Sequence, residues 1–180
     1  MKWYNEPPVW NEQDQVISVT SGLKTDFWRK THYGFIRDTG HFYYQEMTSD
    51  FIAEVKITGQ YQVLYDQAGL MVRENDLTWL KCGIEFVDSL QYASTVVTRD
   101  YSDWSVVALP ENPTSLWLKL KREGGAVEVK YSLDGEQFRM MRLAYLTEAK
   151  TVQVGLMCAS PEREGFQVSF EDFQIKTLSD

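Results

Sequence analysis

Apolar and polar residues alternate with a period of two along much of this chain, and this pattern constrains its fold more than any other sequence feature. The alternation runs through residues 51–59, 116–121, 127–133, 152–158 and 166–170. A period of two is typical of β-strands that bury one face. Turn signals separate the runs, and the strongest of them is Asp134-Gly135. The sequence therefore predicts an all-β sandwich or barrel, with a single helical turn over residues 143–150.

The size and charge of the chain limit its class and its partners. It has 180 residues, so we expect one domain over residues 1–180 whose core needs no disulfide or metal. Lys and Arg number 18 and Asp and Glu number 26, which gives a formal net charge of -8. Because phosphate binding needs a basic surface, this balance argues against nucleic acid as the main partner. No run approaches the ~20 apolar residues of a membrane span.

The cysteines and the first residues indicate the compartment. Residues 1–8 contain neither an apolar stretch nor a cleavage signal typical of secreted proteins. Cys82 and Cys158 both sit inside apolar runs, which is typical of buried free thiols in a reducing compartment. We therefore expect a cytoplasmic protein.

Three segments together resemble a known family. Residues 25–35 read TDFWRKTHYGF, residues 66–73 read DQAGLMVR, and residues 94–105 read STVVTRDYSDWS. The chain resembles the domain-of-unknown-function family labelled "regulation of enolase protein", in the concanavalin A-like lectin/glucanase group. The resemblance implies a jelly-roll sandwich of two antiparallel sheets, one of them concave. Because relatives of this fold include lectins, carbohydrate-binding modules and endoglycosidases, the fold alone does not decide the function.

The run from Trp79 to Val87 predicts a strand with two different faces. Its apolar face carries Leu80, Cys82, Ile84 and Phe86. Its other face carries Trp79, Lys81 and Glu85, with Gly83 between them leaving room for a ligand or a neighbouring chain. A charged residue pair on a sheet face is often no more than a solvated ion pair. An exposed Trp beside charges is also typical of a platform on which a sugar ring stacks. Both interpretations stay open at this point.

Neighbouring segments add candidates to the same surface. If Leu70 and Val72 enter the core, Arg73 joins the outer face, and Thr98 does so from the following strand. Trp104 is either a groove wall or part of a structural turn over residues 100–105. The predicted ligand-binding set is Arg73, Trp79, Lys81, Glu85, Thr98 and Trp104.

The segment over residues 26–43 is dense in aromatic residues and contains both histidines of the chain. It predicts an irregular hairpin at one end of the groove, with Asp26, His32 and His41 as rim contacts. Zinc is not expected, because the spacing of the two histidines matches no compact ligand motif. No cofactor is expected either.

Catalysis is less well supported than binding by the sequence. Retaining glycosidases use two carboxylates about 5–5.5 Å apart, whereas Glu85 is the single acid on its outer face. A neighbouring Lys81 is expected to favour the ionised carboxylate, which suits a hydrogen-bond acceptor. The sequence predicts a small polar ligand, a carbohydrate, on the concave face. The alternatives are a glycoside-active enzyme using Glu85 with a second acid, and a regulatory protein-interaction domain with a homodimer or protein partner.

Overall fold

A computed structural model describes residues 1–178, which form sixteen β-strands in two large sheets and a small one. The first sheet contains, in spatial order, β1 (Lys2–Tyr4), β6 (His41–Met47), β15 (Val152–Ala159), β8 (Gln67–Arg73), β9 (Thr78–Val87), β10 (Leu90–Arg99) and β11 (Tyr101–Ala108). The second sheet contains β14 (Arg139–Tyr145), β13 (Ala126–Ser132), β12 (Ser115–Glu123), β7 (Phe51–Gly59), β16 (Gln167–Thr177), β3 (Val16–Thr20) and β2 (Val9–Gln13). The small sheet is the hairpin of β4 (Phe27–Arg29) and β5 (Ile36–Asp38).

The two large sheets pack face to face around one apolar layer, and the predicted all-β sandwich is confirmed. The alternating runs are strands whose apolar rows point into this layer. On β7 they are Phe51, Ala53, Val55 and Ile57, and on β12 they are Leu116, Leu118 and Leu120. Every strand pair in both sheets is antiparallel.

The helical turn predicted over residues 143–150 is wrong. Residues 143–145 belong to β14, where Leu143 lies opposite Glu128 of β13. Sheet pairing therefore overrides the local preference of this short segment. None of the elements in residues 1–178 is a helix of the length and apolarity needed to cross a bilayer.

The outer face of the first sheet is covered by the chain itself. All seven residues of β8 are buried, as are the seven residues from Trp79 to Glu85 on β9. The β4–β5 hairpin lies on this face. A second apolar cluster fills the space beneath it, formed by Phe27, Trp28, Phe42, Tyr44, Met71, Trp79, Val96 and Met157. This additional layer determines where a ligand can reach the sheet.

The tip of the hairpin requires unusual backbone angles. Lys30, His32 and Gly34 all have positive φ values, of 57°, 61° and 73°. The Trp28 indole N–H donates to the Thr31 carbonyl at 2.9 Å and closes the turn from inside. The tip thereby carries Tyr33 and Phe35 towards the sheet.

Of the two roles expected for Gly83, the structure shows the close approach of a neighbouring strand. Gly83 lies opposite Gly69 on β8, and a Cβ at Gly83 would collide with the Ala68 carbonyl oxygen. Glycine is needed here because two strands approach closely within the sheet, so its small size is explained without a ligand.

Candidate functional site

A cavity of about 150 Å³ opens between the hairpin and the outer face of the first sheet. We call it the aromatic pocket. It is lined by Asp26, Trp28, Tyr33, Phe35, Tyr65, Gln67, Lys81, Glu85, Trp104, Pro161 and Glu162. Pockets for drug-sized ligands measure about 300–1,000 Å³. The aromatic pocket is therefore suited to a single small ring or a comparably compact group.

The floor of the aromatic pocket is polar although it is buried. Lys81 and Glu85 project from the outer side of β9 and Gln67 from the start of β8, and these side chains are 4%, 7% and 3% exposed. The Lys81 ammonium donates to the Phe27 carbonyl at 2.8 Å and to Oε1 of Gln67. It also lies 3.6 Å from Oδ1 of Asp26. The charge of Lys81 is thus matched within the protein.

Glu85 is held in one orientation by its neighbours. The Ser94 hydroxyl donates to Oε2 of Glu85 at 2.7 Å, and the Trp104 indole N–H donates to the same hydroxyl at 3.0 Å. Burial raises the pKa of the Glu85 carboxyl, while the Lys81 charge and the Ser94 hydrogen bond act in the opposite direction. Lys81 thus favours the ionised carboxylate, as expected, but the loss of hydration at this site outweighs the attraction of the ammonium and the pKa is raised overall.

Aromatic rings form the walls. Trp28 of β4 and Trp104 of β11 stand perpendicular, with ring centroids 6.5 Å apart. Tyr65 meets Trp104 edge-on at 6.4 Å, and Tyr33 stacks on Phe35 at 5.4 Å. Such rings offer apolar faces to a ligand that lies between them.

The mouth of the pocket is bridged by two tyrosines. The Tyr33 hydroxyl, on the hairpin tip, lies 2.9 Å from the Tyr65 hydroxyl, in the loop before β8. This hydrogen bond and partial burial raise the pKa of Tyr65. The contact joins the hairpin to the main body of the sandwich.

Four of the predicted residues line the aromatic pocket: Asp26, Lys81, Glu85 and Trp104. The strand facing inferred from the sequence is correct, since Leu80, Cys82 and Ile84 lie in the main core and Lys81 and Glu85 on the opposite side. Residues 101–105 belong to β11 and not to a turn, and this strand presents Trp104 to the pocket.

The expected exposure of Trp79 is wrong. Its side chain is 1% exposed, and Phe27 of the hairpin packs against it with ring centroids 6.2 Å apart. Trp79 does lie on the outer side of β9, but the hairpin covers that side at this end of the strand. Its indole is part of the second apolar cluster and does not line the pocket.

Arg73 and Thr98 also lie on the outer face and are also covered. The Arg73 guanidinium forms a bidentate ion pair with Asp38 of β5 at 2.7 and 2.9 Å, and it stacks on Tyr4. The Thr98 hydroxyl lies 2.8 Å from the hydroxyl of Ser102, which accepts a hydrogen bond from the Arg29 amide. Both residues hold the hairpin against the sheet, and the expected convergence of Arg73, Lys81, Glu85 and Thr98 on one open surface is wrong.

The two histidines lie in different environments. His32 lies at the exposed hairpin tip beside Tyr33, on a groove next to the aromatic pocket. His41 is buried, and its Nε2 accepts from the Gly22 amide at 3.0 Å while its Nδ1 lies 2.6 Å from the Asn5 carbonyl oxygen. Burial lowers the pKa of His41. Within residues 1–178, no group of three or more His, Cys, Asp or Glu side chains is arranged to hold a metal ion.

Sequence reasoning left out much of the pocket. The residues outside the predicted set are Trp28, Tyr33, Phe35, Tyr65, Gln67, Pro161 and Glu162. Trp28, Tyr33 and Phe35 belong to the aromatic-rich segment over residues 26–43, so a signal for them was present. Tyr65, Gln67 and Glu162 carry no comparable signal, because segments far apart in sequence meet here: Gln67 begins β8 on the floor, and Tyr65 and Glu162 lie in loops.

The chain matches known proteins along nearly its whole length. A family model described as "Protein of unknown function (DUF1349)" matches residues 3–178. "Regulation of enolase protein 1" of Saccharomyces cerevisiae is 39% identical over 173 residues, which is 96% of this chain and 87% of that protein. The family resemblance identified in the sequence is confirmed.

Solved structures share the architecture. A functionally unknown protein from Saccharomyces cerevisiae has a TM-score of 0.95 at 38% identity, covering 99% of this chain and 97% of that one. The carbohydrate-binding module CBM66 from Bacillus subtilis has a TM-score of 0.59 at 13% identity, covering 97% of this chain and 95% of that one. At such low identity the second likeness shows a common fold only, and the predicted jelly-roll class is confirmed.

Proposed function

This chain belongs to the DUF1349 family, and we propose that it binds a small polar ligand, a carbohydrate, in the aromatic pocket on the outer face of the first sheet. The observation that carries the proposal is the combination of tryptophan and tyrosine walls with a buried charged floor. A sugar ring has apolar faces that stack on aromatic rings and hydroxyls that bond to charged groups. The fold shared with a carbohydrate-binding module adds support.

The size of the pocket defines the binding mode. A cavity of about 150 Å³ enclosed by the hairpin accommodates one ring, so the ligand is a monosaccharide or the terminal unit of a longer chain. The roles we assign are stacking for Trp28 and Trp104, and hydrogen bonding for Glu85, Asp26 and Gln67.

The test is a calorimetric titration of the protein with a panel of monosaccharides. At least one sugar is expected to bind to wild type and to lose most of its affinity in Trp104→Leu. Trp117→Leu is the matched control, because Trp117 lies on β12 in the other sheet. The proposal fails if no sugar binds to wild type, or if both variants lose affinity equally while remaining folded by circular dichroism.

A second candidate function is glycoside hydrolysis, and the observation that favours it is that the buried Glu85 carboxyl lines the pocket together with a second acid, Asp26. The Glu85 carboxyl has a raised pKa, a property that general acids require. Asp26 is a candidate for the second carboxylate, since it and Glu85 both line the pocket. Cleavage of nitrophenyl glycosides by wild type and not by Glu85→Gln would support this function, and no cleavage of any such substrate would eliminate it.

The compartment and domain organisation remain part of the proposal. We place the protein in the cytoplasm as one domain over residues 1–180. Cys82 and Cys158 are free and buried, and burial raises the pKa of Cys82 to about 12. Thiols of this kind are unreactive and compatible with a reducing compartment.

A regulatory role through protein contact, as the printed name of the yeast relative suggests, has less support. The outer face of the first sheet is covered by the protein's own hairpin. A partner on this side would therefore have to contact the hairpin itself, and not β8 or β9.

A further inference from the structure

We infer that the ligand of the aromatic pocket carries a positively charged nitrogen, so that an amino sugar is preferred over a neutral or acidic one. The inference rests on the proposed function and deepens it, because it names the chemical class of the ligand. Three independent features of the pocket support it.

The first feature is that the Glu85 carboxylate, on the floor of the aromatic pocket, can accept more hydrogen bonds than the protein donates to it. Glu85 is 7% exposed, and a carboxylate has about four acceptor positions. The Ser94 hydroxyl donates to Oε2 of Glu85, and the Trp104 indole N–H beside it acts as a second donor that lowers the Glu85 pKa. Because Glu85 lines the cavity, its remaining acceptor positions can receive a donor from the ligand.

The second feature is the neutralised lysine. Lys81 is the one basic residue among those that line the pocket, and it already donates to Phe27 and Gln67 and faces Asp26. It has little left for an anionic ligand. Asp26, Glu85 and Glu162 supply three acidic groups against this one base.

The third feature is the ring arrangement. The faces and edges of Trp28, Trp104, Tyr33, Tyr65 and Phe35 surround the same small space. An aromatic face is negative, and a cation within about 6 Å of its centroid is attracted, with tryptophan giving the strongest effect. Cages of several aromatic rings closed by a carboxylate therefore suit a compact ammonium group.

The acidic character of the whole chain acts in the same direction. A net charge of -8 attracts small cations and repels anions at low ionic strength. A uronic acid is therefore disfavoured, because the pocket is acidic and its one ammonium group, on Lys81, is already bonded within the protein.

The experiment compares matched ligands on the intact wild-type protein by isothermal titration calorimetry at neutral pH and low salt. The ligands are glucosamine, N-acetylglucosamine, glucose and glucuronate, with choline as a cation that is not a sugar. Glucosamine is expected to bind at least about tenfold more tightly than glucose or N-acetylglucosamine, and glucuronate not to bind. Glu85→Gln is expected to reduce the glucosamine affinity about tenfold more than it reduces the weak glucose affinity, because it removes the charge that pairs with the ammonium group.

Each outcome supports or overturns the cation inference and the carbohydrate proposal separately or together. If glucose or glucuronate binds as tightly as glucosamine, the cation inference is overturned and the carbohydrate proposal stands. If choline binds in a Glu85-dependent way and no sugar does, the cation inference stands and the carbohydrate proposal fails. If none of the five ligands binds, both are overturned. Because the comparison of glucosamine with N-acetylglucosamine uses wild type alone, it does not depend on the variant folding.

Discussion

The Glu85 carboxylate on β9 accepts a hydrogen bond from the Ser94 hydroxyl on β10 at 2.7 Å, at a site where the carboxylate is almost fully buried. One hydroxyl replaces only part of the hydration that the carboxylate has in water. The pKa of Glu85 is raised for this reason. The stability of the protein therefore depends on the charge state of this residue.

Replacing Glu85 with Gln is expected to stabilise the protein at pH 7–8. The pKa of Glu85 is higher in the folded state than the unfolded value near 4.5. Protonated Glu85 therefore contributes to the free energy of unfolding below pH 4.5, and this contribution is lost as the pH rises through the folded-state pKa. Gln keeps an acceptor for Ser94 and removes the buried charge. We expect a gain of about 1 kcal/mol at pH 8, roughly 2–4 °C in Tm.

Thermal unfolding of wild type and Glu85→Gln across pH 4–8 measures this effect. The difference in Tm should shrink towards zero at the acidic end, where wild-type Glu85 is itself protonated. A difference that is constant with pH would mean that burial of the charge is not its source.

Breaking the ion pair between Arg73 and Asp38 is expected to loosen the hairpin. Arg73 is 4% exposed, and its bidentate contact joins β8 to β5. Asp38→Asn leaves a buried guanidinium without a matching charge, which should lower the free energy of unfolding by about 2–4 kcal/mol.

Urea unfolding of Asp38→Asn is compared with that of Glu46→Gln, the matched control. Glu46 pairs with Lys2 at 3.9 Å and both side chains are exposed, so its removal should cost less than about 0.5 kcal/mol. Equal effects of the two substitutions would show that the buried pair contributes no more than a surface one.

The sequence of β9 correctly predicted which face of the sheet each side chain occupies, but not what covers that face. Alternation separated Leu80 and Cys82 from Lys81 and Glu85 correctly, because side chains on a strand point alternately to opposite faces. Alternation does not say what lies beyond each face. Trp79 was expected to be accessible, although Phe27, more than 50 residues earlier in the chain, packs on it.

A signal for the covering layer was nevertheless present. The run Ala68–Val72 has no polar side chain, and a continuous apolar strand is typical of a sheet buried on both faces. The position of the hairpin could not be predicted in the same way. It depends on contacts such as Arg73 with Asp38 and Lys81 with the Phe27 carbonyl, which join residues distant in sequence.

Acidification below pH 6.5 is expected to destabilise the protein through His41. Burial lowers the pKa of His41 in the folded state below the unfolded value of 6.5. Neutral His41 therefore contributes to the free energy of unfolding above pH 6.5, and this contribution is lost as the pH falls through the folded-state pKa. Protonation would also remove the acceptor that Nε2 offers to the Gly22 amide.

Urea unfolding of wild type and His41→Gln at pH 7.5 and pH 5.5 isolates this contribution. Wild type should lose about 1 kcal/mol more than the variant between these two conditions. His32→Gln serves as the control, because His32 is exposed at the hairpin tip, and it should follow wild type. A loss of equal size in all three proteins would assign the pH dependence to other groups.

Removing the hydrogen bond between Tyr33 and Tyr65 is expected to increase opening of the hairpin tip without unfolding the sandwich. The two hydroxyls meet at the mouth of the aromatic pocket, 2.9 Å apart, and link the tip to the loop before β8. A bond of about 1 kcal/mol corresponds to roughly a fivefold change in the local opening equilibrium. In Tyr65→Phe, hydrogen exchange measured by mass spectrometry should therefore be about five times faster in peptides covering residues 27–38. Exchange in β7 and β12 should not change, since these strands lie in the second sheet.

The control is Tyr145→Phe, which alters an exposed tyrosine on β14 and should leave exchange in residues 27–38 unchanged. Unchanged exchange in Tyr65→Phe would mean that packing of Trp28 and Phe27, and not the tyrosine contact, holds the pocket closed.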